Sequence, residues 1–487
     1  MRRKLMIMFS FLACLLVGCA NNENNKGKNI EKENEVEDTR KTAENKSTIV
    51  WKVSAETNIF SHNVELLNQE LENRGYDFAV EFQKMETEYG GDYEKEVKEE
   101  LAEGRVDIIN VGSESSGNCT GIDQIFRAGY LASWNEYFQT DEGQKLYELY
   151  SESTWKTLAV DGETYSIPNE NMMYGDSWVA FNSDYISKET AESWNGELES
   201  LYQIVENAKL DDSVIPIYMG YDAENLFIET GNYIHNGILI DTAKKKAKNP
   251  YEDKAFLNLM YDIKDGYDKA LFQSNFSLSD TSEYDEEVEK KVENKQYAVY
   301  YGASKEKDER FVYVRLPFMQ VSSLSLSVGV CEKSEVKEEA FQLLYLLRTD
   351  DELANLLIWG EESKDYTKTD GIATRTDGSS VMMQKFMTGL CDGVYSDIEN
   401  VYTDRRQYKA ELQKTSKNIT NPLLGFQVNT KGLRKELNNS YMIFIRNLDC
   451  FKEADFEEKL PKIAAEWKKE NGKLQKKLQK QLDHYKS

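Results

Sequence analysis

Apolar positions recur along the chain with two periods that alternate in an orderly way from residue 48 onward. Thr48 to Val53 is a run rich in β-branched residues, and Ser61 to Arg74 carries Val64, Leu67 and Leu71 on one helical face, with Gly75 placed to stop it. Phe78, Val80 and Phe82 then alternate as a strand. Tyr93, Val97 and Leu101 mark a second helix ending at Gly104, and Val106 to Val111 is a third strand. The order βαβαβ predicts a parallel α/β sheet. Ligands of such open sheets bind beyond the carboxyl ends of the strands, which selects Glu56, Thr57 and Asn58 after the first strand and Ser113 and Glu114 after the third.

The same reading extends down the chain. Val214 to Met219 is an apolar strand whose end presents Tyr221 and Asp222, and Trp178 falls within a strand that includes Val179 to Asn182. Thr349 and Glu352 have the spacing of a capping box ahead of Leu353, Leu356 and Leu357, with Gly360 as the stop. Near the end of the chain, Ile463, Trp467, Leu474, Leu478 and Leu482 fall on helical spacing.

The first residues follow a different logic. Arg2, Arg3 and Lys4 precede an apolar stretch from Leu5 to Val17 that has the length of a secretion signal and is short for a bilayer span. Leu16-Val17-Gly18-Cys19 resembles the lipobox of bacterial lipoproteins, so residues 1–18 are expected to be a signal peptide and Cys19 the lipidated residue. The competing reading is an N-terminal membrane anchor helix. Residues 19–46 are Asn, Glu and Lys with almost nothing apolar, a composition that cannot offset its ordering entropy and that predicts a flexible tether.

The formal charge is −26, and loss of the signal, with three basic residues and no acidic one, makes it −29. Such a balance argues against nucleic acid and anionic lipid as partners. The length after the tether exceeds what one core usually organises, so two domains are expected. Cys119, Cys331, Cys391 and Cys450 are scattered, as are His62, His235 and His484. This spacing supports neither a disulfide framework nor a zinc site, and no cofactor or metal is expected.

A series of segments, in order, resembles the sugar-binding group of extracellular solute-binding proteins, the maltose-binding-protein-like family. They are Gly129 to Tyr137, Val160 to Pro168 (Val-Asp-Gly-Glu-Thr-Tyr-Ser-Ile-Pro), Val179 to Asn182, Gln296 to Gly302, Arg315-Leu316-Pro317 and Thr349 to Leu357. Trp359 to Tyr366 and the extension opening at Asn421-Pro422-Leu423-Leu424-Gly425-Phe426 are similar to a large-lipoprotein branch of that family. The sequence departs from the family in its six prolines and in lacking a clear aromatic pair before Asn182.

The resemblance implies the type II periplasmic-binding-protein fold: two α/β lobes joined by crossing hinge segments, with a ligand cleft between them. Residues 47–166 plus 297–348 are expected to form the first lobe, and 167–296 plus 349–487 the second with a helical extension. It also implies a monomer on the extracellular face of the cell membrane, lipid-anchored, that captures a carbohydrate for the permease subunits of an ABC transporter and catalyses nothing. Asn169, Glu170 and Tyr174 follow the first hinge, and Tyr301 lies at the second. Trp359 suits sugar stacking as well as lobe packing, whereas Trp178 is more readily a core residue.

Other readings compete. A glycoside hydrolase needs two carboxylates across a cleft, and no motif singles out such a pair. An importer of a peptide or polyamine fits the acidic balance, and an adhesion or chemosensory protein could share the fold.

Replacing Cys19 with Ala is expected to leave the protein unprocessed or to release it without lipid. Mass spectrometry of membrane fractions checks this, and an acylated Cys19→Ala protein would refute the anchor.

Overall fold

The structure, a computed structural model, describes residues 46–88, 92–112, 119, 121–168, 177–220, 226, 228, 230–279, 285–306, 308–325, 327–369, 371–381, 393–395 and 418–485. Cys19 and most of the expected tether lie outside them.

Strand β1 (Ser47–Val53) buries alternate residues, Ile49, Trp51 and Val53, as a strand with one face on a core must. Helix α1 (Ser61–Asn73) buries Leu67 and Leu71 on the face read from spacing. Next come β2 (Phe78–Lys84), α2 (Tyr93–Glu103), β3 (Ile108–Asn110) and the short α3 (Asp123–Arg127). Gly104 stops α2 with φ at 68°, a left-handed conformation that glycine adopts without penalty. Strand β3 is shorter than its apolar run because at its start the Asp107 carboxylate accepts the Val50 N–H (2.8 Å), and the Ser334 hydroxyl (2.7 Å) holds that carboxylate in place.

The chain then crosses to a second sheet, built from β4 (Trp178–Asn182), β5 (Ile215–Met219), β6 (Tyr297–Ala303) and β7 (Phe311–Arg315). It returns as β8 (Val328–Val330), followed by α4 (Lys337–Thr349) and α5 (Asp351–Trp359). Helices α6 (Arg434–Leu448) and α7 (Phe456–His484) end the described chain. The first sheet has the order β8-β3-β1-β2, with β1 parallel to β2 and β3 and with β8 antiparallel. The second has the order β7-β4-β6-β5, with β5 parallel to β6 and with β4 antiparallel to both neighbours.

These pairings move two stretches relative to the boundaries expected from sequence. Residues 297–315, assigned to the first lobe, are β6 and β7 of the second sheet, where β6 pairs with β5 and β4. Helix α5, assigned to the second lobe, packs on α1 of the first. Leu353 and Leu357 join the core formed by Ile49, Trp51 and Leu67, and Asn63 Nδ2 donates to Leu357 O (3.1 Å). The capping residue of α5 also differs. Helix α4 runs through Thr349, whose hydroxyl donates back to Tyr345 O, so the extended Asp350 accepts the N–H groups of Glu352 and Leu353 instead.

The C-terminal helices complete the second lobe. Leu460, Ile463, Trp467, Leu474, Leu478 and Leu482 of α7 share one core with Val179, Phe181, Ile217 and Val299 of the sheet. Trp467 is fully buried and its indole N–H donates to Gly237 O (3.0 Å), at the turn between the strands Asn232–His235 and Ile238–Asp241.

His235, on that hairpin, has a buried Nε2 with no hydrogen-bond partner among the described residues. Burial, opposed by the Asp123 carboxylate, lowers its pKa from 6.5 to about 4. The unfolded chain therefore takes up a proton below pH 6.5 that the folded chain refuses until pH falls to about 4. Stability contributed by neutral His235 is whole above pH 6.5 and is lost as pH falls to 4. The full loss is on the order of 3 kcal/mol. Urea midpoints at pH 7.5 and 4.5 should show part of the acid loss disappearing in His235→Phe. An identical pH slope in wild type and variant would refute the assignment.

Candidate functional site

The chain passes between the sheets three times, the last between Tyr395, whose N–H is held by Asn355 of α5, and α6 of the second lobe, and the first two passages bear on where a ligand would sit. Ile167 bridges Val328 at the start of β8, and residues 168–177 lead from there to Trp178 at the start of β4. Residues 316–327 lead back from Arg315, at the end of β7, to Val328. Because β8 is antiparallel to β3, its start lies at the carboxyl end of β3, where Val328 pairs with Asn110. Because β4 is antiparallel to β6, its start lies at the carboxyl end of β6, where Trp178 pairs with Ala303. Both crossings therefore join the carboxyl edge of one sheet to the carboxyl edge of the other. The carboxyl ends of β1 and β3 lie on the first of these edges and those of β5 and β6 on the second, the side on which open α/β sheets bind ligands.

On the first sheet, the turn after β1 is braced locally. Ser54 Oγ donates to Glu56 (3.3 Å) and lies 3.4 Å from Thr57 Oγ1, and Thr57 N donates to Ser54 O (3.0 Å). Ser54 and Thr57 are fully buried, whereas Glu56 and Asn58 are exposed at the tip. A carboxylate and an amide are thus presented from a rigid base. After β3, Asn110 is held by the Trp51 indole N–H on its Oδ1 (3.0 Å) and by the Tyr93 hydroxyl on its backbone carbonyl (2.8 Å). Gly112 follows at φ 124°. Ser113 and Glu114 lie outside the described residues.

On the second sheet, the end of β5 is clamped by Gln273, which accepts from Met219 N (2.9 Å) and donates to Met219 O (3.1 Å). Gly220 N donates to Tyr301 O (2.9 Å), and a side-chain carbon at Gly220 would lie 2.5 Å from the Tyr300 ring. Glycine is required by that close approach. Tyr300 packs edge-on against Tyr218 at 4.8 Å. Burial pushes the Tyr218 hydroxyl up to about 12 and that of Tyr300 further, so both phenols remain neutral. Trp178 is 6 % exposed and carries the Lys305 ammonium 4.7 Å above its ring. Nothing in local spacing links Lys305 to Trp178, because Trp178 opens β4 and Lys305 follows the end of β6, more than a hundred residues later.

Of the candidate contacts, Glu56, Thr57 and Asn58 stand at the carboxyl end of β1, and Trp178 stands at the start of β4. Asn169, Glu170, Tyr174, Tyr221 and Asp222 lie outside the described residues. Tyr301 does not offer its ring to a ligand. It is 1 % exposed in the second-lobe core, edge-on to Trp194 at 6.2 Å. Of the two readings of Trp359, its 1 % exposure supports packing. The ring lies beside Tyr366 and its N–H donates to Tyr395 O (3.2 Å). Both are inward-facing positions of regular elements, where an aromatic ring fills core volume. Among the described residues no group of three or more His, Cys, Asp or Glu side chains is arranged to hold a metal. The loop after β1 presents a carboxylate and an amide, groups suited to hydrogen-bonding a polyhydroxylated ligand.

No family model matches the chain. A carbohydrate ABC transporter substrate-binding protein of Streptococcus pneumoniae serotype 4 is 24% identical over 445 aligned residues, covering 82% of this chain and 84% of that one. Among solved structures, the N-glycan transport solute binding protein (NgtS) of Streptococcus pneumoniae superposes with a TM-score of 0.62 at 18% identity, over 90% of this chain and 98% of that one. An HMO-binding, ABC-transporter-associated solute binding protein of Bifidobacterium longum infantis gives 0.59 at 12% identity, over 90% and 99%. These likenesses establish the fold as that of the periplasmic-type solute-binding proteins, in agreement with the sequence.

Replacing Asn110 with Leu strands the buried Trp51 N–H and is expected to cost about 1–3 kcal/mol. The loss should appear as a lower urea midpoint with an unchanged slope. A midpoint equal to wild type would show that the Trp51–Asn110 bond does not hold the exit of β3.

Proposed function

We propose, from the premise that this chain has the solute-binding-protein fold, that it captures a carbohydrate, an oligosaccharide, outside the cytoplasmic membrane and delivers it to the permease of an ABC importer. The observation that carries the reading is the convergence of both sheets' carboxyl edges at the two crossings, which builds one site from two bodies able to close on a ligand. The S. pneumoniae relative, a carbohydrate ABC transporter substrate-binding protein, supports a sugar as the ligand class and an ABC importer as the context. The solved structures of the same fold include a complex of NgtS with Man1GlcNAc.

In this reading the protein binds its sugar without changing it. Glu56 and Asn58 supply hydrogen bonds from the first lobe, with Ser113 and Glu114 from the neighbouring loop. Asn169, Glu170 and Tyr174 contribute from the first crossing, and Tyr221 and Asp222 from the end of β5. Cys19 carries the lipid that keeps the monomer at the extracellular face of the membrane. Two acyl chains anchor stably where one is marginal, at about 0.8 kcal/mol per buried methylene. No helix among the described residues is long and apolar enough to cross a membrane.

A thermal-shift screen of the chain from residue 20 onward, against a glycan panel with peptides and polyamines as controls, tests the ligand class. Glycans are expected to raise the melting temperature and to be recovered intact. Stabilisation by a peptide or polyamine alone overturns the sugar, and shortened glycans overturn the absence of catalysis. With a binding glycan in hand, Tyr174→Ala or Tyr221→Ala should weaken affinity by roughly one to two decades while sparing the free protein. Trp359→Ala should instead lower the melting temperature of the free protein.

A further inference from the structure

The segment from 418 to 438 belongs to the third passage of the chain between the lobes, from Tyr395 on α5 of the first to α6 of the second, and it runs alongside the second crossing. Asn418 and Ile419 pair in parallel with Phe318 and Met319, Asn421 Nδ2 donates to Gln320 O (2.8 Å), and Gly425 N donates to Ser322 Oγ (2.7 Å). On the first lobe its anchor is the carboxylate of Asp123, at the N-terminus of α3 and only 3 % exposed. That carboxylate accepts from Thr430 N (3.1 Å), from the Thr430 hydroxyl, from Arg127 Nε (3.1 Å) and from Gln124 Nε2 (2.6 Å). Arg127 also reaches Gln427 O (3.1 Å), and Gln427 Nε2 donates to Thr157 O (3.0 Å). On the second lobe the anchor is α7. The Gln481 amide accepts from Asn429 N (2.8 Å) and donates to Asn429 O (3.0 Å), so both backbone groups of one residue are tied. Tyr485 Oη donates to Leu424 O (2.6 Å).

We propose that this segment is a brace across the pivot, which restricts how far the lobes splay and twist when no ligand holds them together. The argument rests on position and on chemistry. The segment lies beside residues 318–322, inside the second crossing, and a contact near a hinge axis moves little as the lobes close, so the brace is present in both states. A buried carboxylate with four donors does not exchange partners cheaply, since leaving it unsatisfied costs its full desolvation. Two adjacent residues, Asn429 and Thr430, thus tie α7 of one lobe to α3 of the other. A tie common to both states acts mainly on the broader one, the open ensemble, by removing orientations from which the lobes cannot close. Its loss lowers the fraction of protein poised to close, and the apparent affinity falls by that fraction without any change in ligand contacts.

This inference deepens the proposed function, since it assumes that binding closes the lobes. Gln481→Ala, Thr430→Val and the double variant are compared with wild type in the chain from residue 20 onward; all leave the Asp123–Arg127 pair intact. Small-angle X-ray scattering gives the radius of gyration with and without Man1GlcNAc, and calorimetry gives the affinity. The double variant should have a larger radius only in the unliganded state and a dissociation constant weakened by roughly three- to ten-fold. An unchanged unliganded radius overturns the brace, whether or not affinity falls, and so does tighter binding. If Thr430→Val does not fold, Gln481→Ala alone gives the same reading. If wild type binds no glycan, the sugar assignment fails while the unliganded scattering still decides the brace.

Discussion

Strand β4 is the constraint on which the arrangement of the two lobes depends. It is hydrogen-bonded along one edge to β6 and along the other to β7, and all five of its residues are buried. The first crossing ends on Trp178 and the second leaves from Arg315, its partner across the ladder. Asn182, at the far end, donates its amide to Tyr297 O (3.1 Å), which fixes the register where the strand leaves the sheet. A strand inserted antiparallel between two later strands brings both hinges to one edge of its sheet. The matching edge of the first sheet follows from β8, the returning strand, which is antiparallel to β3.

The C-terminal helices are part of the second lobe and not an appendage to it. Trp467, Leu474 and Leu478 of α7 are buried in the same core as Phe181 and Ile217 of the sheet. Asn249 Nδ2 donates to Ala464 O (3.0 Å) and the Tyr251 hydroxyl to Phe444 O (3.0 Å), so loops inserted before β6 are satisfied by α6 and α7. At Gly237, with φ at 77°, a side-chain carbon would lie 2.6 Å from Ser440 O, which lets the hairpin turn sit directly on α6. Stability of the second lobe and the placement of residues 418–438 beside the hinge therefore have a common origin in helix packing.

Aromatic content is a poor guide to the ligand site in this chain. Trp51, Trp134, Trp359, Trp467 and Tyr301 are all fully buried, each inside a core cluster, and Tyr297 and Tyr300 fill the other face of the second sheet. What the strand-end loops add is polar chemistry held rigidly at its base, as at Ser54 and Thr57 beneath the exposed Glu56 and Asn58. Hydrogen bonding from fixed groups suits an uncharged hydroxyl-rich ligand, and the strongly negative charge of the chain does not oppose it.

The sequence by itself determined the local elements: the βαβαβ opening, the stops at Gly75, Gly104 and Gly360, and the apolar face of α7 from Ile463 to Leu482. Each is written in spacing over fewer than thirty residues, where period and backbone preference act directly. It also indicated the fold, through the order of its segments, and that Glu56, Thr57 and Asn58 follow the carboxyl end of β1. Only the tertiary structure decided which sheet β6 and β7 join, on which lobe α5 packs, and that Tyr301 and Trp359 face inward. Those outcomes depend on pairings such as Val299 with Phe181, or Asn63 with Leu357, between residues that no local pattern connects. An apolar strand reads the same whichever partner it finds, because its side chains specify burial while the choice of partner is made by the chain that returns to it.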